Sequence, residues 1–159
     1  MAIKKVSAAR KKVAKALIYS EVSALKKQTS GKGSGTDIIG GRFIRVDSPE
    51  MEWFERDWQK IPNFVVTKRK ELSFQLDYPF QKPLKMKIKG VKGITLHQIV
   101  RAIRRGFRTM YAGSKSKKIR GMLNREVEGK YGHAFHVIGD LAIERIVLKG
   151  GKLDLFIGS

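Results

Sequence analysis

Four arginines recur at positions 101, 104, 105 and 108 of the stretch TLHQIVRAIRRGFRTMY, residues 95–111, which contains no acid. Taking about 100° per residue, Arg101, Arg104, Arg105 and Arg108 fall within an arc of about 100°. The centre of that arc lies roughly 140° from the arc of Leu96, Ile99, Val100, Ile103, Phe107 and Met110. The spacing therefore predicts a helix docked by its apolar side, with four guanidinium groups outward and His97 at their edge. Like charges three and four residues apart cost a few tenths of a kcal/mol per pair. A stripe of arginine alone thus points to an outside anion, and the planar guanidinium fork suits phosphate in particular. Directly downstream, GSKSKKIR adds Lys115, Lys117, Lys118 and Arg120 in a stretch whose Gly and Ser predict a flexible loop. Together these make a candidate surface of eight cations. The plainer alternative is a solvated helix face, partly paired with acids elsewhere in the chain.

Other residues invite other chemistry. His133, His136 and Asp140 lie close together in YGHAFHVIGD, but zinc needs a third ligand at a recognised spacing and none is present. No metal site is expected, and structural histidines are the simpler reading. Glu126, Glu128 and Lys130 in EVEGK, with Asp140 or Glu144, could assemble a magnesium-dependent nuclease site. Gly129 and Gly132 suit a loop there instead, so the expectation is a protein that is not an enzyme. SGKGSGT is not a phosphate-binding P-loop, because it lacks the G-x-x-x-x-G-K-[ST] spacing. No cofactor and no small-molecule substrate is indicated.

The 159 residues carry 34 Lys or Arg against 14 Asp or Glu, a formal net charge of +20. Such an excess repels itself and attracts polyanions, of which nucleic acid is the commonest. With no cysteine there are no disulfides, thiolate metal ligands or zinc fingers. No apolar run reaches the roughly 18 to 20 residues of a membrane-spanning helix. The charge falls in blocks: 14 basic residues and no acid from Tyr78 to Arg125, and nine basic residues with the single acid Glu21 from Met1 to Gly35. Between them DSPEMEWFERDW carries five acids and one arginine.

These residues need elements to hold them. Residues 3–28 lack Gly and Pro and are rich in helix formers, which predicts a basic helical arm containing Arg10, Lys11, Lys12 and Lys15. TSGKGSGTD reads as a linker, giving an arm and linker over 1–36 and a compact body over 37–159. Within the body, Asp47 or Ser48 with Pro49 starts a second helix whose face is Met51, Phe54, Trp58 and Ile61. Trp53 sits off that face, as an interface anchor would. Thr95 with Gln98 forms a capping box that starts the arginine helix. LSFQLDY and LKMKIK alternate as half-buried strands, FVVTKR is placed to pair with the first of them, RFIRV is a short strand, and Gly150-Gly151 turns a hairpin between LAIERIVLK and KLDLFIG. The expected fold is α+β: an antiparallel sheet of four to five strands with two or three packed helices, preceded by the basic arm.

The expected function is a non-enzymatic protein that associates with DNA or RNA through phosphate contacts and little base reading. Lys85, Lys87 and Lys89 would extend the surface if their sheet edge lay beside the helix. The alternative is a structural subunit of a large assembly, such as a capsid or ribonucleoprotein particle, docked on an acidic protein neighbour or another copy of itself. Either role fits a nuclear or cytosolic protein or a virion component. Organellar import is the weaker expectation: residues 1–20 lack acids, as transit peptides do, but lysine outnumbers arginine.

Overall fold

A computed structural model describes residues 35–46 and 62–159. The described chain runs β1 (Thr36–Arg45), β2 (Val65–Thr67), β3 (Glu71–Leu76), β4 (Leu84–Lys89), β5 (Ile94–Thr95), α1 (Leu96–Tyr111), β6 (Lys115–Lys118), β7 (Arg125–Gly129), β8 (Gly132–Ala134), a 3-10 turn (Ile138–Asp140), β9 (Ala142–Lys149) and β10 (Lys152–Gly158). Among the described residues the protein is mostly β, 47% strand in three sheets, and α1 with its 16 residues is the one α-helix. This overturns the α+β expectation of one antiparallel sheet of four to five strands with two or three packed helices. Five of the ten strands have only two to five residues, too short to show a period. Residues 3–28, the predicted helix at 48–61, Trp53, Arg10, Lys11, Lys12 and Lys15 lie outside the described residues.

The main sheet has the order β1-β9-β10-β3-β4. Gly150, at φ +60°, turns the β9–β10 hairpin where the Gly-Gly pair predicts it. β3 and β4 pair antiparallel, with Leu72 opposite Ile88, Phe74 opposite Met86 and Leu76 opposite Leu84. A short parallel pairing of β10 with β3, Leu153 opposite Phe74, joins the two hairpins. Both edges of β3 are thereby occupied, so β2 cannot pair with it as the sequence predicts. Instead β2 pairs with β5, Val65 opposite Thr95, and holds the start of α1.

Thr95 caps α1 as predicted. Its hydroxyl accepts from Gln98 N at 3.3 Å and its own N–H donates to Gln98 Oε1 at 2.8 Å. Asn63 Oδ1 takes the His97 N–H at 3.1 Å, so a second free amide of the first turn is also satisfied. The helix buries Leu96, Ile99, Val100, Ile103, Phe107 and Met110, the predicted apolar face, against the sheet. Gly106 marks the closest approach: a Cβ there would run into Leu76 Cδ1 and Met86 Sδ. In an open helix Gly→Ala gains roughly 1 kcal/mol. Here we expect the opposite sign, with Gly106→Ala destabilising by about 1–3 kcal/mol through overpacking. Chemical denaturation decides between the two signs.

Because Leu76 and Met86 face α1, the alternating Lys85, Lys87 and Lys89 lie on the other face of the sheet. They therefore do not extend the arginine stripe, since the side of β4 that meets α1 carries Leu84, Met86 and Ile88 instead. That outer face is a mixture of charges. Lys87 Nζ lies 2.9 Å from Glu71 Oε1, Lys149 pairs with Asp154 at 2.6 Å, and Arg145 forks onto Asp37 at 2.6 and 2.7 Å. As β4 is an edge strand, its lysines also discourage pairing with another chain.

The Arg145 hydrogen bonds hold the Asp37 carboxyl below its ordinary value, with burial opposing them and the guanidinium charge adding to them. A depressed folded-state pKa contributes stability that is complete above the unfolded value and disappears as pH falls through the folded one. Asp37→Asn should therefore flatten the fall of melting temperature below about pH 4 and change its slope little near neutrality. An unchanged acid limb would remove Asp37 from the account.

Candidate nucleic-acid interface

Docking of α1 by its apolar face leaves Arg101, Arg105 and Arg108 exposed and Arg104 half-buried. The sequence reading of which side the arginines occupy holds. Arg101, Arg104 and Arg108 also make contacts within the chain, as does His97, so the stripe is already engaged. An incoming anion would compete with those contacts.

The residues after the helix differ more from expectation. Residues 115–118 form β6, a strand of a three-stranded sheet in the order β6-β7-β8, where the sequence predicts a flexible loop. KSKK has no apolar residue from which a strand period could be read, so its strand is dictated by its partner. Lys115 sits opposite Glu128 and Lys117 opposite Glu126. Opposite charges across a ladder contribute about 0.2–1 kcal/mol per pair. These two lysines therefore face local acids, and Glu126 and Glu128, considered from the sequence as metal ligands, are placed against them.

The next pair breaks the pattern. Lys118 stands directly opposite Arg125. Like charges so placed destabilise a sheet. Val127 and Ala134, opposite each other on β7 and β8, are buried in the core and hold β7 in place, and β6 lies along it with Lys118 beside Arg125. Arg125 Nε donates to Ser116 Oγ at 2.8 Å, which fixes the guanidinium along the strand. Arg120, exposed on the turn, adds a third cation. Residues 113–131 carry six Lys or Arg against the two glutamates.

The turn itself projects. Leu123 is fully exposed at 102% and Met122 half exposed at 53%. Gly121 has φ +78°, and a Cβ there would meet nothing within 4 Å. Arg125, Met122 and Leu123 are the members of this surface that the sequence does not single out, since only cross-strand register and exposure mark them.

The histidines do not converge. His133 Nε2 lies 2.6 Å from Glu126 Oε1 without a well-aligned hydrogen bond, and its ring packs on Phe135 at 4.7 Å. His136 Nε2 is 3.4 Å from Ser159 Oγ, its carbonyl accepts from Tyr111 Oη at 2.8 Å, and its ring lies 5.9 Å from that of Tyr78. Asp140 Oδ2 accepts from Val137 N at 3.1 Å and so caps the 3-10 turn. Burial first, then the charge of Asp140, pushes the Tyr111 phenol well up, which keeps it a neutral donor to His136. Among the described residues no group of three or more His, Asp or Glu is placed to hold a metal ion. No helix among them is long and apolar enough to cross a membrane. No protein-family model matches the chain, and no match is found among curated proteins or solved structures.

Proposed function

We propose that the protein associates with nucleic acid, holding the phosphate backbone between the outer face of α1 and the β6–β7 hairpin, with little base reading. One observation carries the reading: Lys118 and Arg125 stand directly opposite each other beside Arg120, on a hairpin that starts four residues beyond a helix striped with arginine. A carboxylate at either place would stabilise the fold better. A phosphate lodged between the two cations offsets their repulsion, and the guanidinium of Arg125 can meet it with two parallel hydrogen bonds. The net charge of +20 supplies long-range attraction of the same sign. The basic block at residues 1–35 would add a tethered second contact, raising effective concentration.

A binding role fits better than a catalytic one, because Glu126 and Glu128 face lysines across the ladder and Asp140 is taken up by the 3-10 turn. Such a protein would work wherever nucleic acid is packed or carried, in the nucleus, the cytosol or a virion.

The test is fluorescence anisotropy of labelled duplex DNA and single-stranded RNA from about 50 to 300 mM salt. Log K should fall linearly with log salt, by about 0.9 per phosphate contacted on duplex, with a slope implying about six phosphates or more. Failure to bind either probe at the lowest salt would overturn the reading and direct attention to an acidic protein neighbour.

A further inference from the structure

The turn between β6 and β7 presents two aliphatic side chains to water, flanked by Lys118, Arg120 and Arg125. Leu123 buries nothing, Met122 is half exposed, and Gly121 leaves the tip unobstructed. Large apolar side chains cost less out of water, so two adjacent ones on an exposed tip set among cations make a candidate contact surface. Their flanks define that partner. Arg120 precedes them by two residues and Arg125 follows by two, with Lys118 facing Arg125 at the base of the turn.

We infer that this tip is a wedge for duplex DNA, Leu123 and Met122 entering between adjacent base pairs from the minor groove while Arg120 and Arg125 hold the phosphates on either side. The inference rests on the nucleic-acid reading and gives it a mechanism. Aliphatic wedges of Leu or Met part base steps and kink the duplex by roughly 20–90°, and arginine or asparagine beside them suits the acceptor-rich floor of the groove. Asn124, between Leu123 and Arg125, offers such an amide. A two-stranded ribbon is too broad for a groove about 6 Å wide, so only the tip enters, and the opening of the groove is what admits it. Bending then swings flanking DNA toward more of the basic surface, which makes unstacking worthwhile.

An anionic lipid surface would also meet cations and aliphatics, but the apolar contact is small for it. Leu and Met side chains together hold about half the hydrocarbon of one myristoyl chain, which by itself anchors only marginally. Parting one base step, by contrast, needs only one inserted side chain.

The experiment is energy transfer between dyes at the ends of a duplex of about 20–30 base pairs, titrated with the full chain and with a Met122→Ala/Leu123→Ala double variant. Wild type should shorten the end-to-end distance on binding. The variant should bind with the same salt slope, weaker by at most about tenfold, and leave the duplex straight. Its melting temperature should stay close to wild type, because Leu123 is fully exposed and Met122 half exposed. Three results would overturn the wedge: wild type bound to a straight duplex, a variant that bends DNA as well as wild type, or vesicles of phosphatidylserine bound through Leu123 while DNA binding ignores it. Absence of any duplex binding at about 50 mM salt would remove the parent reading as well, so the two failures are distinct.

Discussion

Replacing Lys118 and Arg120 together with glutamate should lower affinity for duplex DNA by about 100-fold or more at 0.1 M salt. The magnitude follows from counterion release. Each neutralised phosphate contributes a salt slope of about 0.9, hence about tenfold in affinity between 1 M and 0.1 M salt. Giving up two such phosphates costs about 60- to 100-fold, and two new carboxylates beside them push further the same way. Stability should move in the other direction. A carboxylate at position 118 would face Arg125 across the ladder, turning a repulsive pair into an attractive one. The gain is a few tenths to about 1 kcal/mol, held to the low end by exposure. Anisotropy and thermal denaturation on the same samples read both effects. Residues that serve the fold lose binding and stability together, whereas residues that serve a ligand trade one for the other. An affinity within about twofold of wild type would move the binding surface away from the hairpin.

That surface was only half legible in the sequence. The arginine face of α1 could be read because a helix repeats every few residues, so seventeen positions suffice to separate its two sides. The capping box, the alternation of β3 and β4 and the Gly150 turn are likewise local signals, and each element forms where they place it. What failed is long-range. The partner of β2 depends on β10 taking the second edge of β3, an event some 80 residues downstream. The lysines of β4 looked like an extension of the stripe, since nothing in their spacing says which face of the sheet the helix covers. The sequence marks Lys115 and Lys117 as loop cations, yet the register sets them opposite Glu128 and Glu126. The same register singled out Arg125, which composition counts among fourteen similar residues. Charge totals are properties of the sequence, whereas the partner of each charge is a property of the fold.

Phe107→Ala should cost about 3–5 kcal/mol, a large share of the roughly 5–15 kcal/mol that holds a domain together. Phe107 is wholly buried on the face of α1 opposite the arginines, in one core with Met110, Leu76, Val127 and Ala134. Truncation leaves a cavity under the helix, and neighbours held by the ladder of the main sheet cannot fully collapse into it. Urea denaturation should show the midpoint lowered with the slope unchanged, the sign of lost stability without a changed unfolded state. Affinity is the second readout. Below its transition the variant should bind DNA within a few-fold of wild type, because the phosphates meet the other side of the helix. A loss of less than about 1 kcal/mol would mean that α1 is not anchored through this face, and the orientation of the stripe would have to be reversed with it. A normal stability loss accompanied by a proportionate loss of binding in the folded variant would instead show that core packing sets the angle between helix and hairpin, so that the two basic elements grip one phosphate track as a unit.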